Sequence, residues 1–181
     1  NGMLIDNTKI EGYKNKDKTK KKAKYYSNDN IYDDFYVNIY DKLLFNDNKI
    51  RYETKELIEI ININNNSIIL DIGCGLGHHC KVFKDNKAKC VGLDKSKAVI
   101  KRAKKNYPDC KFVKGDAKQM NLFDKQHFNV ITSFYFSIYY FKDKHIFFKN
   151  CTYWLKPGGY LAIHLVDRDK FNPIIPAGDP L

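Results

Sequence analysis

The rhythm of apolar and polar positions changes at Asn30. Before it the chain is polar and Lys-rich with no apolar period, which predicts a mobile arm over residues 1–27. After it, Ile31, Phe35 and Ile39 recur every four residues, and so do Tyr32, Tyr36 and Tyr40. That spacing predicts an amphipathic helix over about 30–44, capped by Asn28 or Asn30, with Asp33 and Asp34 in its first turn. A second helix, over about 50–62, follows the polar turn at 45–48, and Asn64-Asn65-Asn66 breaks the pattern.

Beyond Asn66 short apolar runs alternate with helical segments. Strands are expected at Ser67–Ile72, Cys90–Leu93, Cys110–Val113, Phe128–Tyr135 and Tyr160–Val166. Helices are expected at Leu76–Asn86, Ser96–Asn106 and Lys142–Leu155, the last stopped by Pro157-Gly158-Gly159. Strands separated by helices imply right-handed crossovers and a mostly parallel sheet, and continuous apolar runs fit strands covered on both faces. The Pro-punctuated segment 172–181 reads as neither helix nor strand. The divisions are therefore a Lys-rich arm (1–27), a helical lid or cap (28–66), an α/β core (67–166) and a Pro-containing tail (167–181).

Composition narrows the class. With 181 residues, 43% hydrophobic and 29% charged, the chain suits one globular domain and is too short for two ordinary ones. Its longest nearly apolar run, Val130 to Phe141, is too short to span a bilayer. Five cysteines (Cys74, Cys80, Cys90, Cys110, Cys151) form no C-x-x-C pair and no zinc spacing. They read as reduced thiols, with no metal site and a cytoplasmic setting. The net charge of +11 is uneven, because residues 14–24 alone hold seven Lys and one Asp. A solvated tail accounts for that half of the charge; an arm attracting nucleic acid is the alternative.

The chemistry is concentrated in Leu70-Asp-Ile-Gly-Cys-Gly-Leu-Gly77. A buried strand runs into three glycines and then a helix, a backbone that turns sharply and lets a ligand lie against it. A dinucleotide fingerprint needs its third glycine where His78 stands, and Asp71 beside the loop would repel a pyrophosphate. The acid instead suits a ligand carrying an amino group or a sulfonium. Asp94 ends the second strand, where an acid can accept both hydroxyls of a ribose, and Asp116 follows the third. Three acids after three consecutive strands point into one crevice.

Taken in order, LDIGCGLG (70–77), GLD (92–94), GDA (115–117), FNVITSFYF (128–136) and WLKPGGYL (154–161) resemble class I S-adenosylmethionine-dependent methyltransferases over about residues 30–166. The resemblance implies a Rossmann-like doubly wound α/β fold with strand order 3-2-1-4-5 and helices on both faces. It implies S-adenosyl-L-methionine as cofactor, with Asp71, Gly73, Cys74, Gly75 and Gly77 at its methionine end, Asp94 and Lys95 at the ribose and Asp116 with Ala117 at the adenine. The backbone around Ser133 would approach the sulfonium. Tyr36 and Tyr40, on a Tyr-rich helix like those that lid small-molecule members, would contact the cofactor; simple packing is the alternative for each.

For the acceptor, Tyr139 and Tyr140 are expected to line the pocket, with His164 and Tyr135 as catalytic candidates. A lone His on an apolar strand is also a common structural residue. His78 and His79 open a helix whose positive terminus disfavours an imidazolium, while His127 and His145 read as surface residues. The segment 132–137 lacks the Asp/Asn-Pro-Pro-Tyr/Phe signature of enzymes that methylate base amino groups. A small-molecule acceptor is therefore expected. An RNA or protein methyltransferase, or a non-catalytic cofactor-binding domain of a longer protein, are the alternatives. The family's sixth and seventh strands have no counterpart before residue 181, so either the native protein is longer or the fifth-strand edge is an interface, by self-association or with a further domain. No membrane contact is expected.

Overall fold

The computed structural model describes residues 32–167, 169 and 170; the Lys-rich arm, Asn28, Asn30 and the residues from 171 onward lie outside them. Two helices, α1 (Asp34–Leu44) and α2 (Asp47–Ile60), precede the alternating part. Five strands follow: β1 (Ile68–Ile72), β2 (Lys89–Asp94), β3 (Lys111–Lys114), β4 (Phe128–Ser133) and β5 (Leu155–Ile163). Between them lie α3 (His78–Asp85), α4 (Lys97–Asn106) and α5 (Lys144–Trp154). The strands form one parallel sheet in the order β3-β2-β1-β4-β5, as the family resemblance implied. Strand order reverses between β1 and β4, so a crevice opens beyond their carboxyl ends.

Side-chain alternation assigns the two faces. Leu70, Ile72, Val91, Leu93 and Ile131 pack against Phe147, Cys151 and Trp154 of α5. Ile69 and Val130 turn the other way, onto Phe83 of α3 and Leu57 and Ile58 of α2. Ile100 and Ala103 of α4 close the same face over Phe112. Asp71 falls between Leu70 and Ile72 and therefore faces the α3 side. Among the described residues no helix is long and apolar enough to cross a membrane.

Several boundaries differ from the sequence expectation, each for a local reason. Helix α1 starts at Asp34 because Asp33 is its cap, its carboxylate accepting from the Tyr36 N–H at 3.0 Å. Asn46 caps α2 in the same way, so that the helix begins at Asp47, three residues ahead of the expected start. β4 stops at Ser133, since Tyr135 and Phe136 adopt left-handed backbone (φ 48° and 61°). The largest difference is β5. Pro157-Gly158-Gly159 lies inside the strand rather than ending α5, which stops at Trp154. Phe128 pairs with Leu155 and Val130 with Tyr160, so extra residues bulge outward, with Gly158 at φ 75°. An edge strand tolerates Pro because the missing N–H faces away from the ladder. His164 then follows the strand instead of lying within it.

Candidate functional site

The glycine loop is built by its backbone. Gly73, Gly75 and Gly77 all have positive φ (74°, 52° and 89°), and Gly77 begins α3 in the left-handed region. The Gly73 and Cys74 N–H groups both donate to the Leu93 carbonyl, which ties the loop to β2. Two of the positions also exclude a side chain by space. A Cβ on Gly73 would lie 2.5 Å from Ser137 Oγ, and one on Gly77 would lie 2.5 Å from Phe112 Cζ. Gly77→Ala therefore combines left-handed strain, about 1–2 kcal/mol, with overpacking, about 1–3 kcal/mol. We expect it to destabilise the fold by roughly 2–5 kcal/mol in urea unfolding, and an unchanged midpoint would refute this.

Beneath the loop Asp71 is 1% exposed. Thr132 Oγ1 donates to its Oδ1 at 2.7 Å, and the Cys80 thiol lies 3.7 Å from Oδ2. Burial pushes its carboxyl well above the usual range, and the nearby Cys80 adds to the effect. Asp94 joins the loop from β2. It accepts from the Gly75 N–H at 3.3 Å and from the Ser96 N–H at 2.9 Å. Burial raises its pKa too, although these N–H bonds pull the other way. Asp116 is partly exposed and folds onto its own turn, accepting from the Lys118 N–H at 3.0 Å and pairing with Lys118 Nζ at 3.3 Å. The loop that carries it is fixed from α5, where Asn150 donates to the Ala117 carbonyl and Trp154 to that of Met120, both at 2.8 Å. Lys95 is exposed beside Asp94.

Helix α1 lies across this end of the sheet. Val37 packs with Leu76 and Val99, and Tyr32 and Tyr40 border that contact. Tyr32, Tyr36 and Tyr40 form a ladder of rings with centroids 4.8 and 5.3 Å apart. Tyr32 also meets Tyr140, at 5.9 Å, and its carbonyl accepts from Ser96 Oγ at 2.7 Å. Burial raises the pKa values of Tyr32 and Tyr36, and neighbouring tyrosines and the negative charge of Asp94 add to the rise.

A cavity of about 40 Å³ lies under the loop. Of the residues expected to hold a cofactor, Tyr40, Asp71, Gly73, Cys74 and Gly75 line it; Gly77, Asp94, Lys95, Asp116, Ala117, Ser133 and Tyr36 do not. His78, His79, Phe134 and Tyr135 complete one side. A second, open cavity of about 590 Å³ is lined by Tyr135, Phe136, Tyr139, Tyr140, Val166, Asp167 and Lys170. Tyr135 belongs to both walls, so the two spaces adjoin there. His164 Nδ1 accepts from the Tyr135 N–H at 3.2 Å, which puts the proton of the neutral ring on Nε2 and makes that edge a donor. Burial lowers the His164 pKa and favours that neutral form. Ser133 is fully buried, and its Oγ has no hydrogen-bond partner. His127 and His145 are exposed, as expected.

Sequence reading missed Glu53 and Lys49 altogether, because both sit on the polar side of the α2 pattern. Glu53 Oε2 faces His79 Nε2 at 3.7 Å and Lys49 Nζ meets Glu53 Oε1 at 3.6 Å. Lys49 Nζ also stands 4.8 Å above the Tyr135 ring. Burial works to raise the Glu53 pKa, but His79, His164 and Lys49 together outweigh it and hold the carboxyl below its usual value. Among the described residues no His, Cys, Asp or Glu group is placed to hold a metal ion.

Three comparisons bear on this geometry. Residues 70–163 match the family described as "Methyltransferase domain". Trans-aconitate 2-methyltransferase of Escherichia fergusonii is 30% identical over 115 residues, 62% of this chain and 44% of that protein. The chain thus matches less than half the length of that relative. Among solved structures, a protein from Pyrococcus horikoshii superimposes with a TM-score of 0.63 at 25% identity, covering 77% of this chain and 64% of that one. A candidate methyltransferase from Bacillus halodurans gives a TM-score of 0.56 at 26% identity, covering 62% and 50%.

Proposed function

The chain belongs to the methyltransferase domain family, and from that premise we propose that it binds S-adenosyl-L-methionine and methylates a small-molecule acceptor. The observation that carries the proposal is the crevice itself: a positive-φ glycine loop with Asp71 buried beneath it and Asp94 bonded to it from the next strand. A Cβ built at Gly75 would meet nothing within 4 Å, so the loop backbone there stands open to a ligand, and the acids suit a cationic ligand with a ribose. We assign the methionine end to Asp71 and the loop from Gly73 to Gly77, including Cys74 and Gly75. Asp94 receives the ribose hydroxyls with Lys95 beside it. Asp116 and the Ala117 backbone face the adenine, and the Ser133 backbone the sulfonium end. Tyr36 and Tyr40 cover the cofactor from α1.

When bound, the cofactor supplies a methyl group on a positively charged sulfur. The residues of this chain orient it and the acceptor, an effect worth about 7–11 kcal/mol, and the tyrosine ladder keeps water out. Tyr139 and Tyr140 line the acceptor side. The small-molecule reading draws support from the relative named for trans-aconitate and from cavities of modest size. Calorimetry with S-adenosyl-L-homocysteine tests the cofactor assignment. Saturable binding with one site per chain is expected, and no heat at millimolar ligand would overturn it.

A further inference from the structure

Among the described residues four buried side-chain polar atoms lack a hydrogen-bond partner: Glu53 Oε2, His79 Nε2, Ser133 Oγ and Tyr135 OH. Folded proteins satisfy the great majority of such groups, so a concentration of exceptions needs an explanation. Three of these exceptions, Glu53, His79 and Tyr135, are neighbours. His79 is 5% exposed, its ring lies 5.6 Å from that of Tyr135, and its Nε2 faces the Glu53 carboxylate. Next to them the second cavity carries an uncovered aromatic wall, with Phe136, Tyr139 and Tyr140 43%, 48% and 60% exposed. Exposed apolar clusters of this kind mark binding surfaces. The backbone is strained to build it, since Tyr135 and Phe136 are consecutive non-glycine residues with positive φ. Such strain concentrates at functional sites.

We propose that the acceptor is a planar aromatic compound bearing a hydroxyl group, its ring against Phe136, Tyr139 and Tyr140 and its hydroxyl toward His79, which removes the proton while Glu53 orients and stabilises the imidazole. This deepens the methyltransferase reading and rests on it. A tautomer with its Nε2 proton toward Glu53 leaves Nδ1 as the basic nitrogen. The hydroxyl proton passes to Nδ1, and the freed oxygen pair forms the new O–CH3 bond as the S–CH3 bond breaks. The pair of that broken bond stays on sulfur, which becomes a neutral thioether, and His79 returns the proton to solvent. Groups facing His79 are Glu53 from α2, which also pairs with Lys49, Tyr135 after β4, His164 after β5, and Cys80 on its own helix. Of these, the Glu53 carboxylate stands directly opposite His79 Nε2, at 3.7 Å.

The probe is 2-naphthol, whose fluorescence reports binding without turnover, measured with S-adenosyl-L-homocysteine present. Decahydro-2-naphthol, which is neither planar nor acidic, is the comparator. We expect 2-naphthol to bind at least about 10-fold tighter and to be converted to its methyl ether when S-adenosyl-L-methionine replaces the homocysteine. His79→Gln should slow that conversion by about 10²–10⁴-fold while 2-naphthol affinity stays within about 2-fold. Glu53→Gln should lower kcat for that conversion by about 10-fold or more with KM within about 2-fold, a split that a merely structural role would not produce. Equal binding of the two alcohols, or full transfer in His79→Gln, would overturn the inference. So would failure of 2-naphthol to bind a protein that does bind S-adenosyl-L-homocysteine. If the homocysteine itself does not bind, it is the methyltransferase reading that falls.

Discussion

Asp94→Ala is expected to weaken S-adenosyl-L-homocysteine binding by at least about 100-fold while leaving the protein folded. A carboxylate receiving two hydroxyls makes two charge-assisted hydrogen bonds, each worth about 1.5–3 kcal/mol. Losing both at the low end already costs about 3 kcal/mol, or more than two decades in affinity. The fold tolerates the change better. Gly75 and Ser96 each lose an acceptor for one N–H, but a carboxyl whose charge is disfavoured by burial is removed at the same time. The Leu93 carbonyl still holds the glycine loop through Gly73 and Cys74. Asp94→Asn should fall between wild type and Ala, because an amide oxygen still accepts. Calorimetry reads both variants, and a loss below 10-fold in Asp94→Ala would contradict the assigned role.

Asp71→Asn should do the opposite to the two properties, raising stability and lowering cofactor affinity. Burial holds the folded carboxyl well above its unfolded pKa. The folded state therefore keeps a proton over a pH range in which the unfolded chain, near pH 3.9, has already lost it. Stability from this site is complete below the unfolded pKa and is eroded as pH climbs toward the folded value. Asparagine does not titrate, and its amide oxygen still accepts from Thr132, so the variant escapes that erosion. Its advantage in thermal melts should be larger at pH 8 than at pH 5, reaching at least about 1 kcal/mol, or roughly 2–4 °C for a chain of this size. A cationic ligand favours the ionised Asp71, so wild-type binding releases a proton and tightens as pH rises. Titrations in buffers of different ionisation heat should show that release in wild type and not in Asp71→Asn. An equal pH slope in both proteins would sink the assignment.

What the sequence revealed follows from how local each feature is. Asp71, the three glycines and Asp94 were legible because strand, turn and helix are contiguous, and the turn admits few residue types. The strand order came with the family resemblance. Glu53 was not legible, since helical spacing puts it on a polar face and its partner His79 lies on a different helix. β5 was misjudged because Pro-Gly-Gly usually ends an element, whereas a sheet edge accommodates it as a bulge. Tyr135 read as the end of a strand by composition, yet its left-handed backbone, shared with Phe136, takes it out of the sheet and into the cavity wall. No local propensity signals that turn in residues other than glycine.

The clasp of Tyr32 on Tyr140 joins the first described residue to the turn after β4. Of the α1 side chains described, Val37 alone is buried, and Arg102 adds a surface bond to Asn38. With so few described contacts, α1 is expected to open at a lower cost than unfolding the sheet. On the proposed reading, a cofactor covered by Tyr36 and Tyr40 would leave when that helix lifts. Its residence time would then be a property of α1 and not of the pocket, and is expected to shorten on warming with the steep temperature dependence of an unfolding event.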